Sequence, residues 1–291
     1  MPKFKPNPEA AQQKQTEANA MLEQGIQNLA TDDNWLQYLK TQSRFHSYSF
    51  RNVVMILSQY PDATRVAGYR AWQAMNRQVI KGEKGLLILA PIIRKVEDDN
   101  GDTLKALTGF KTTSVFDISQ TEGEDLPEIC TALSGDDAGL LNQLRDYAAS
   151  LNIPVRFEGC LGANGLCRWL AEGRIEISVE PNLSLLHQCK TLAHELGHAL
   201  MHSEAEYRHH SMKSQRELEA ESVAFTVLHY FGLDSGNYSF AYLMNWSGGA
   251  EDAIAQLKES GRRIQDAAHQ IIEGVEAQTQ SIEPERELMA V

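Results

Sequence analysis

The chain has little cysteine and no long apolar run. Its four cysteines, Cys130, Cys160, Cys167 and Cys189, are scattered through 291 residues without a CxxC pair. Neither a disulfide framework nor a cysteine zinc knuckle is therefore expected, and the thiols read as reduced and structural. No stretch approaches the ~18 uninterrupted apolar residues that would span a bilayer, so no membrane partner is expected. Met1-Pro2-Lys3-Phe4-Lys5 leads into a polar Gln/Glu/Ala stretch rather than the apolar core of a signal peptide. A cytoplasmic protein is the expectation. Internal repeats are lacking, and no helix-turn-helix or zinc-finger spacing suggests that a duplex is read.

What is present is ordinary in composition and uneven in charge. Apolar residues make up 42% and charged residues 23% of the sequence, as in soluble globular proteins. The length suggests two domains at ~150 residues each. The net charge is −12, yet ten basic residues and only Asp62 and Glu83 as acids lie between Trp35 and Lys95. Such asymmetry points to a segment that meets an anion.

Periodicity predicts helices first: residues 8–30, a second capped by Asp32 or Asp33, a third capped by Ser49 and stopped near Pro61, and a short one over Tyr69–Met75. Gly82–Gly85 reads as a turn and Leu86–Ile93 as a buried strand. A hairpin turn over Asp98–Asp102 would return the chain through Ala106 to Val115–Ile118. The acidic stretch from Thr121 to Pro127 reads as the start of a linker. Beyond it come a helix near Ala138–Leu151, a strand Ile153–Phe157, a Gly-rich turn and a strand Arg174–Val179. Helices follow from Pro181, over Gln215–Phe231 and near Glu251–Glu273, and a disordered Glu/Gln-rich tail ends the chain. The fold class expected is α+β in two domains: helices plus a small antiparallel sheet over 1–120, a linker over 121–132, and a zincin-like domain over 133–291.

The chemistry-bearing pattern is His194-Glu195-Leu196-Gly197-His198. Two histidines four apart on a helix project from one face and can hold one Zn2+, with manganese or another divalent ion as alternatives. Glu195 between them is placed to take a proton from water activated at the metal. The apolar flanks Leu192, Ala193, Leu196, Ala199 and Leu200 fit a buried active-site helix. Gly197 would leave room for a close neighbour, such as the helix that supplies a third ligand. Glu217 follows His198 by 19 residues, near the separation at which gluzincin-type enzymes place their glutamate ligand. Glu221, four residues on, is expected to accept a hydrogen bond from the outer nitrogen of a ligand histidine. Glu219 is expected to point elsewhere, into solvent. His202, His209 and His210 read as solvated loop histidines, with Tyr207 or His209 as candidates to polarise a substrate carbonyl. The strand Arg174–Val179 is a candidate edge strand to hold a peptide by main-chain pairing.

The basic segment interleaves cations with rings. Arg44, Tyr48, Phe50 and Arg51 are followed by Tyr69, Arg70 and Trp72, then Arg77, Lys81 and Lys84. Phosphates take cations and unpaired bases stack on aromatic faces, a combination suited to single-stranded nucleic acid. The competing reading makes Phe45, Phe50 and Trp72 simple core.

Tyr48-Ser49-Phe50-Arg51-Asn52, Val66–Trp72, Lys81–Gly85 and Val115–Thr121 resemble the N-terminal domain of ArdC-type antirestriction proteins. His194–His198 and Glu217–Ala224 resemble their metallopeptidase-like domain, similar to the ImmA/IrrE and Spartan groups. The likeness to Spartan is one of architecture, because those sites use a third histidine. The resemblance implies a plasmid-borne protein that binds single-stranded DNA and protects DNA entering a new host by conjugation, its protein substrate left open. Three functions follow as rivals: a DNA-tethered protease, a non-proteolytic DNA-coating protein whose zincin fold is a scaffold or docking surface, and a metal-dependent nuclease. The last suits the ligand set least, since nucleases commonly use carboxylate-rich two-metal sites.

Overall fold

A computed structural model describes residues 8–97, 103–126, 139–205, 213–233 and 250–289. The chain divides into two compact units, one of Met1–Leu29 with Tyr48–Pro127, the other of Ala30–Ser47 with Glu128–Val291. Both mix helices with small sheets, as expected.

In the first unit, α1 (Pro8–Asn28) and α3 (Phe50–Gln59) pack on a ribbon of β3 (Leu86–Glu97) and β4 (Thr103–Asp117). Ser49 caps α3 by accepting from Asn52 N–H, as predicted. β4 sits between β3 and the short β1 (Val66–Ala67), antiparallel to both. The turn predicted over 98–102 lies outside the described residues. Asn52 and Gln59, two helical turns apart on α3, act as substitute strand partners. The side chain of Asn52 bonds both N–H and C=O of Leu89, at 2.9 and 3.0 Å, and Gln59 does the same for Leu87, at 2.8 and 2.9 Å. Backbone groups that would otherwise be orphaned beneath a helix are satisfied in this way. The helix α4 (Tyr69–Ala74) leads to β2 (Arg77–Val79), which pairs antiparallel with β5 (Thr121–Gly123). Thr121–Gly123, expected to open the linker, is strand instead, held by side-chain and backbone bonds from Arg77. Residues 127–138 lie outside the described set.

The second unit holds α2 (Asp32–Arg44), which the sequence assigned to the first domain. Its apolar stripe of Trp35, Tyr38 and Leu39 is completely buried, and Trp35 Nε1 donates to Ser222 Oγ at 3.0 Å. Burial of that stripe decides the partner. The cap of α2 is Thr31, not Asp32 or Asp33. After α5 (Leu140–Ser150) comes a three-stranded sheet of order β6-β8-β7, from β6 (Val155–Phe157), β7 (Gly165–Trp169) and β8 (Ile175–Val179). β6 is parallel and β7 antiparallel to β8. The predicted edge strand, residues 174–179, is thus the central one; the edges are β6 and β7, the latter a strand that the Gly-rich sequence before it disguised as a turn. The helices α6 (Leu185–Met201, capped by Ser184), α7 (Lys213–Tyr230) and α8 (Ala250–Met289) complete the unit. The helix α8 runs on where a disordered tail was expected after Glu273, because Ile271, Ile272 and Val275 are buried and Gly274 lies flush against the Tyr147 ring of α5. No helix among the described residues is long and apolar enough to cross a membrane.

Candidate metal centre

His194 and His198 lie one turn apart on α6, and α7 crosses this helix close enough to add Glu217. The close approach depends on Gly197: a Cβ there would stand 3.3 Å from Ala220 Cα and 3.3 Å from Val223 Cβ. Three donor atoms converge. His194 Nε2 and His198 Nε2 are 3.1 Å apart, and Glu217 Oε2 is 3.3 Å from the first and 3.8 Å from the second. Bonds of ~2.0–2.1 Å at tetrahedral angles place neighbouring ligands about 3.3 Å apart. The donor set therefore fits a divalent ion in both chemistry and size. His198 is buried, and His194 and Glu217 are partly exposed, which leaves one side of the triad open to a cleft of about 460 Å3.

Behind the triad stand two supports. His194 Nδ1 meets Glu221 Oε2 at 3.3 Å, and Glu221 Oε1 is paired with Lys190 at 2.6 Å. The other support differs from expectation. His202 and Glu219 are not solvated; their side chains are wholly buried. His198 Nδ1 meets His202 Nδ1 at 2.9 Å, and His202 Nε2 meets Glu219 Oε2 at 2.8 Å. Glu219 Oε1 accepts from Ser260 Oγ at 2.6 Å and Gln215 Nε2 at 3.0 Å. Burial this deep is tolerable because every oxygen finds a donor. The spacing held a signal for His202, four residues after His198 and so on the ligand face. The role of Ser260 had none, since it comes from α8, 41 residues beyond Glu219. Tyr207, His209 and His210 lie outside the described residues.

Electrostatics prime the central groups. Burial opposes charge on His194, but hydrogen bonds to Glu217 and Glu221, with the field of Glu195, outweigh it and raise the imidazole to about 9. Hydrogen bonds from His194 and then His198 hold Glu217 well below the usual carboxylate range. Burial raises Glu195 to about 7, against the pull of His194 and a hydrogen bond from the Cys167 backbone N–H. A carboxyl near neutrality suits a group that must both accept and release a proton.

That backbone bond ties Glu195 to the edge strand β7, and Gly165 makes it feasible. A Cβ at 165 would lie 2.5 Å from Thr191 Cγ2 and 2.7 Å from Glu195 Oε1. Ala163, Asn164, Gly165 and Leu166 line the cleft beside the triad. Cys160, Cys167 and Cys189 are buried, and burial pushes the Cys167 thiol up; Cys130 lies outside the described residues.

The ten residues read as nucleic-acid contacts divide by burial. Arg51, Arg70, Lys81 and Lys84 are exposed in the first unit, and Tyr69 is 44% exposed. Arg44 is exposed but belongs to the second unit. Tyr48 is half-buried and donates to the Val66 carbonyl at 3.2 Å. Three assignments are corrected. Phe50 and Trp72 are core, Trp72 with no exposure and its Nε1 donating to the Phe116 carbonyl at 2.9 Å, so neither offers a face for a base. Arg77 is buried and bonds Thr121 Oγ1 at 2.8 Å and the Thr121 carbonyl at 3.1 Å. In the same unit, buried Asp117 accepts from the N–H groups of Thr64, Arg65 and Ser119, so this residue of the Val115–Thr121 motif is architectural.

Two segments of the chain match known protein families. Residues 12–116 match the N-terminal domain of anti-restriction factor ArdC, and residues 148–231 match the IrrE N-terminal-like domain of the M78 peptidases. An uncharacterised protein of Bacillus anthracis is 22% identical over 329 aligned positions, covering 98% of this chain and 56% of the relative. The chain thus spans about half the length of the curated relative it matches. The crystal structure of the antirestriction ArdC protein of plasmid R388, metal-free, is similar with a TM-score of 0.49 and 22% identity over 79% of this chain and 86% of that one. Its Mn(II)-bound form gives 0.48 and 21% over 78% and 85%.

Proposed function

We propose that this chain, an ArdC-type antirestriction N-terminal domain joined to an IrrE-like domain of the M78 peptidase family, is a divalent-metal-dependent peptidase that binds single-stranded DNA. Its role is to protect DNA entering a host cell by conjugation. The observation that carries the enzymatic part is the convergence of His194 Nε2, His198 Nε2 and Glu217 Oε2 within 3.8 Å of one another beside a buried glutamate. Zinc is the first candidate for these ligands and manganese the second, two nitrogens and one carboxylate being common to both. When bound, such an ion supplies a Lewis acid that polarises a scissile carbonyl and makes water more acidic.

The protein's own residues supply the remainder. His194, His198 and Glu217 hold the ion, and Glu221 and the buried His202–Glu219 pair fix the two rings. The edge strand β7 aligns an extended peptide by backbone pairing along the cleft. Glu195 takes the proton from the attacking water and delivers it to the departing amine. The chemistry requires an unfolded or extended protein segment as substrate, and a cytoplasmic location suits both DNA and free thiols.

Single-stranded DNA is assigned to the first unit, on Arg51, Tyr69, Arg70, Lys81 and Lys84. Cations neutralise phosphates there and Tyr69 offers a ring for a base. Binding both the strand and a protein on that strand raises the local concentration of substrate at the cleft.

The test compares wild type with Glu195→Gln for protection of conjugated DNA in a restricting host. Fluorescence anisotropy with single- and double-stranded DNA is measured on both proteins. A variant that binds single strands normally but no longer protects supports proteolysis as the function. Full protection by the variant would leave the DNA-coating reading in its place, and degradation of the DNA itself would support a nuclease.

A further inference from the structure

Away from the cleft, in the same unit, two imidazoles meet a second carboxylate. His46 follows the end of α2, whereas His269 and Glu273 are four residues apart on α8 and share a face. His46 Nδ1 and His269 Nδ1 are 3.1 Å apart, and Glu273 Oε1 is 3.9 Å from His269 Nδ1. All three donors lie within 4.8 Å of one another. The group is looser than the cleft triad, and none of these residues lines that cleft.

The surroundings prepare the group for a cation. The His46 ring packs edge-on against Tyr230, with centroids 4.9 Å apart, and its carbonyl accepts from Gln265 Nε2, so its nitrogen is held in place. Glu273 and Glu276 both bear on His46 electrostatically and offer the negative charge that a bound cation needs nearby. His269 and Glu273 are about half exposed, so an ion can enter and keep water in its remaining positions.

We propose that His46, His269 and Glu273 form a second divalent-cation site, of the two-imidazole, one-carboxylate type that suits Zn2+. It ties the segment after α2 to α8 and so fastens residues 30–47 within the second unit. Its role is structural: binding to the folded form raises the stability of that unit.

Titration of the full chain with Zn2+ against a chromophoric chelator counts the equivalents. Wild type is expected to take two. His198→Ala should keep one, and this one should vanish in His269→Ala and weaken at least about tenfold in Glu273→Gln. The half-exposed Glu273 can be changed without loss of fold, so that variant guards against a trivial collapse. The zinc-induced rise in melting temperature should also survive in His198→Ala. A wild type that binds one equivalent, lost in His198→Ala and untouched by His269→Ala and Glu273→Gln, overturns the proposal. One equivalent lost only in the His269 and Glu273 variants would uphold it and defeat the cleft site instead.

Discussion

The two units differ in how their candidate residues are held. In the second, the metal-binding candidates are fixed by helices: His194 and His198 by one turn of α6, Glu217 by a crossing that Gly197 permits. In the first, the candidate contacts come from α3, α4, β2 and the turn before β3, and they split into exposed cations and buried anchors. A helical repeat transmits sequence spacing directly into space, so a site written in that spacing survives folding. A site written as alternating cations and rings does not, because each ring must choose between core and surface.

Mutations sharpen this contrast, beginning with the largest effect. Trp72→Ala should cost the first unit about 3–5 kcal/mol, read as a fall in its denaturation midpoint, while Arg70→Ala should stay within about 0.5 kcal/mol. The order of the two on DNA should be the reverse once folded protein is compared. Arg70→Ala and Lys84→Ala should each lower the salt dependence of single-strand binding by about one phosphate contact. If Trp72→Ala folds normally and abolishes stacking, the division by burial is wrong.

In the second unit, Glu219→Gln should weaken the cleft metal about 10–100-fold, seen by chelator competition, since the hydrogen bond of His202 to His198 would lose its orienting charge. Solvation of Glu219 would predict no change. Gly165→Ala should cost about 1–3 kcal/mol and displace Glu195 from β7, lowering turnover with metal affinity retained.

The pH dependence of metal binding follows from His194. A cation needs neutral imidazole, and His194 stays protonated up to about 9 in the absence of a competitor. Metal affinity should therefore rise by about tenfold per pH unit towards 9 and level off above it. His194→Ala should remove that slope along with most of the affinity; a slope that ends near 6.5 would contradict the charge arrangement around His194.

Much of this was legible in the sequence. The helices, the α+β class, the ligand spacing and the close packing at Gly197 all follow from local periodicity. The misreadings have a common cause. Glu219 lies two residues from Glu217 and so faces away from the ligands, but the space on that side is filled by His202 and Ser260 of another helix rather than by water. β7 was hidden because Gly159, Gly162 and Gly165 read as a turn, although Gly165 opens a strand and is needed there to let Glu195 approach. Arg77 counted as a phosphate contact because its partner Thr121 is 44 residues distant. Each of these three errors concerns a contact made across the chain.

The cleft of the second unit is expected to cut peptide bonds. Full-length protein with Zn2+ or Mn2+ should be incubated with a degenerate peptide library, and the products read by mass spectrometry beside Glu195→Gln. Metal-dependent cleavage products with wild type, lost by about 10^2–10^4-fold in the variant while its metal affinity is unchanged, are the predicted result. Equal cleavage by both proteins, or cleavage that persists without metal, would contradict it.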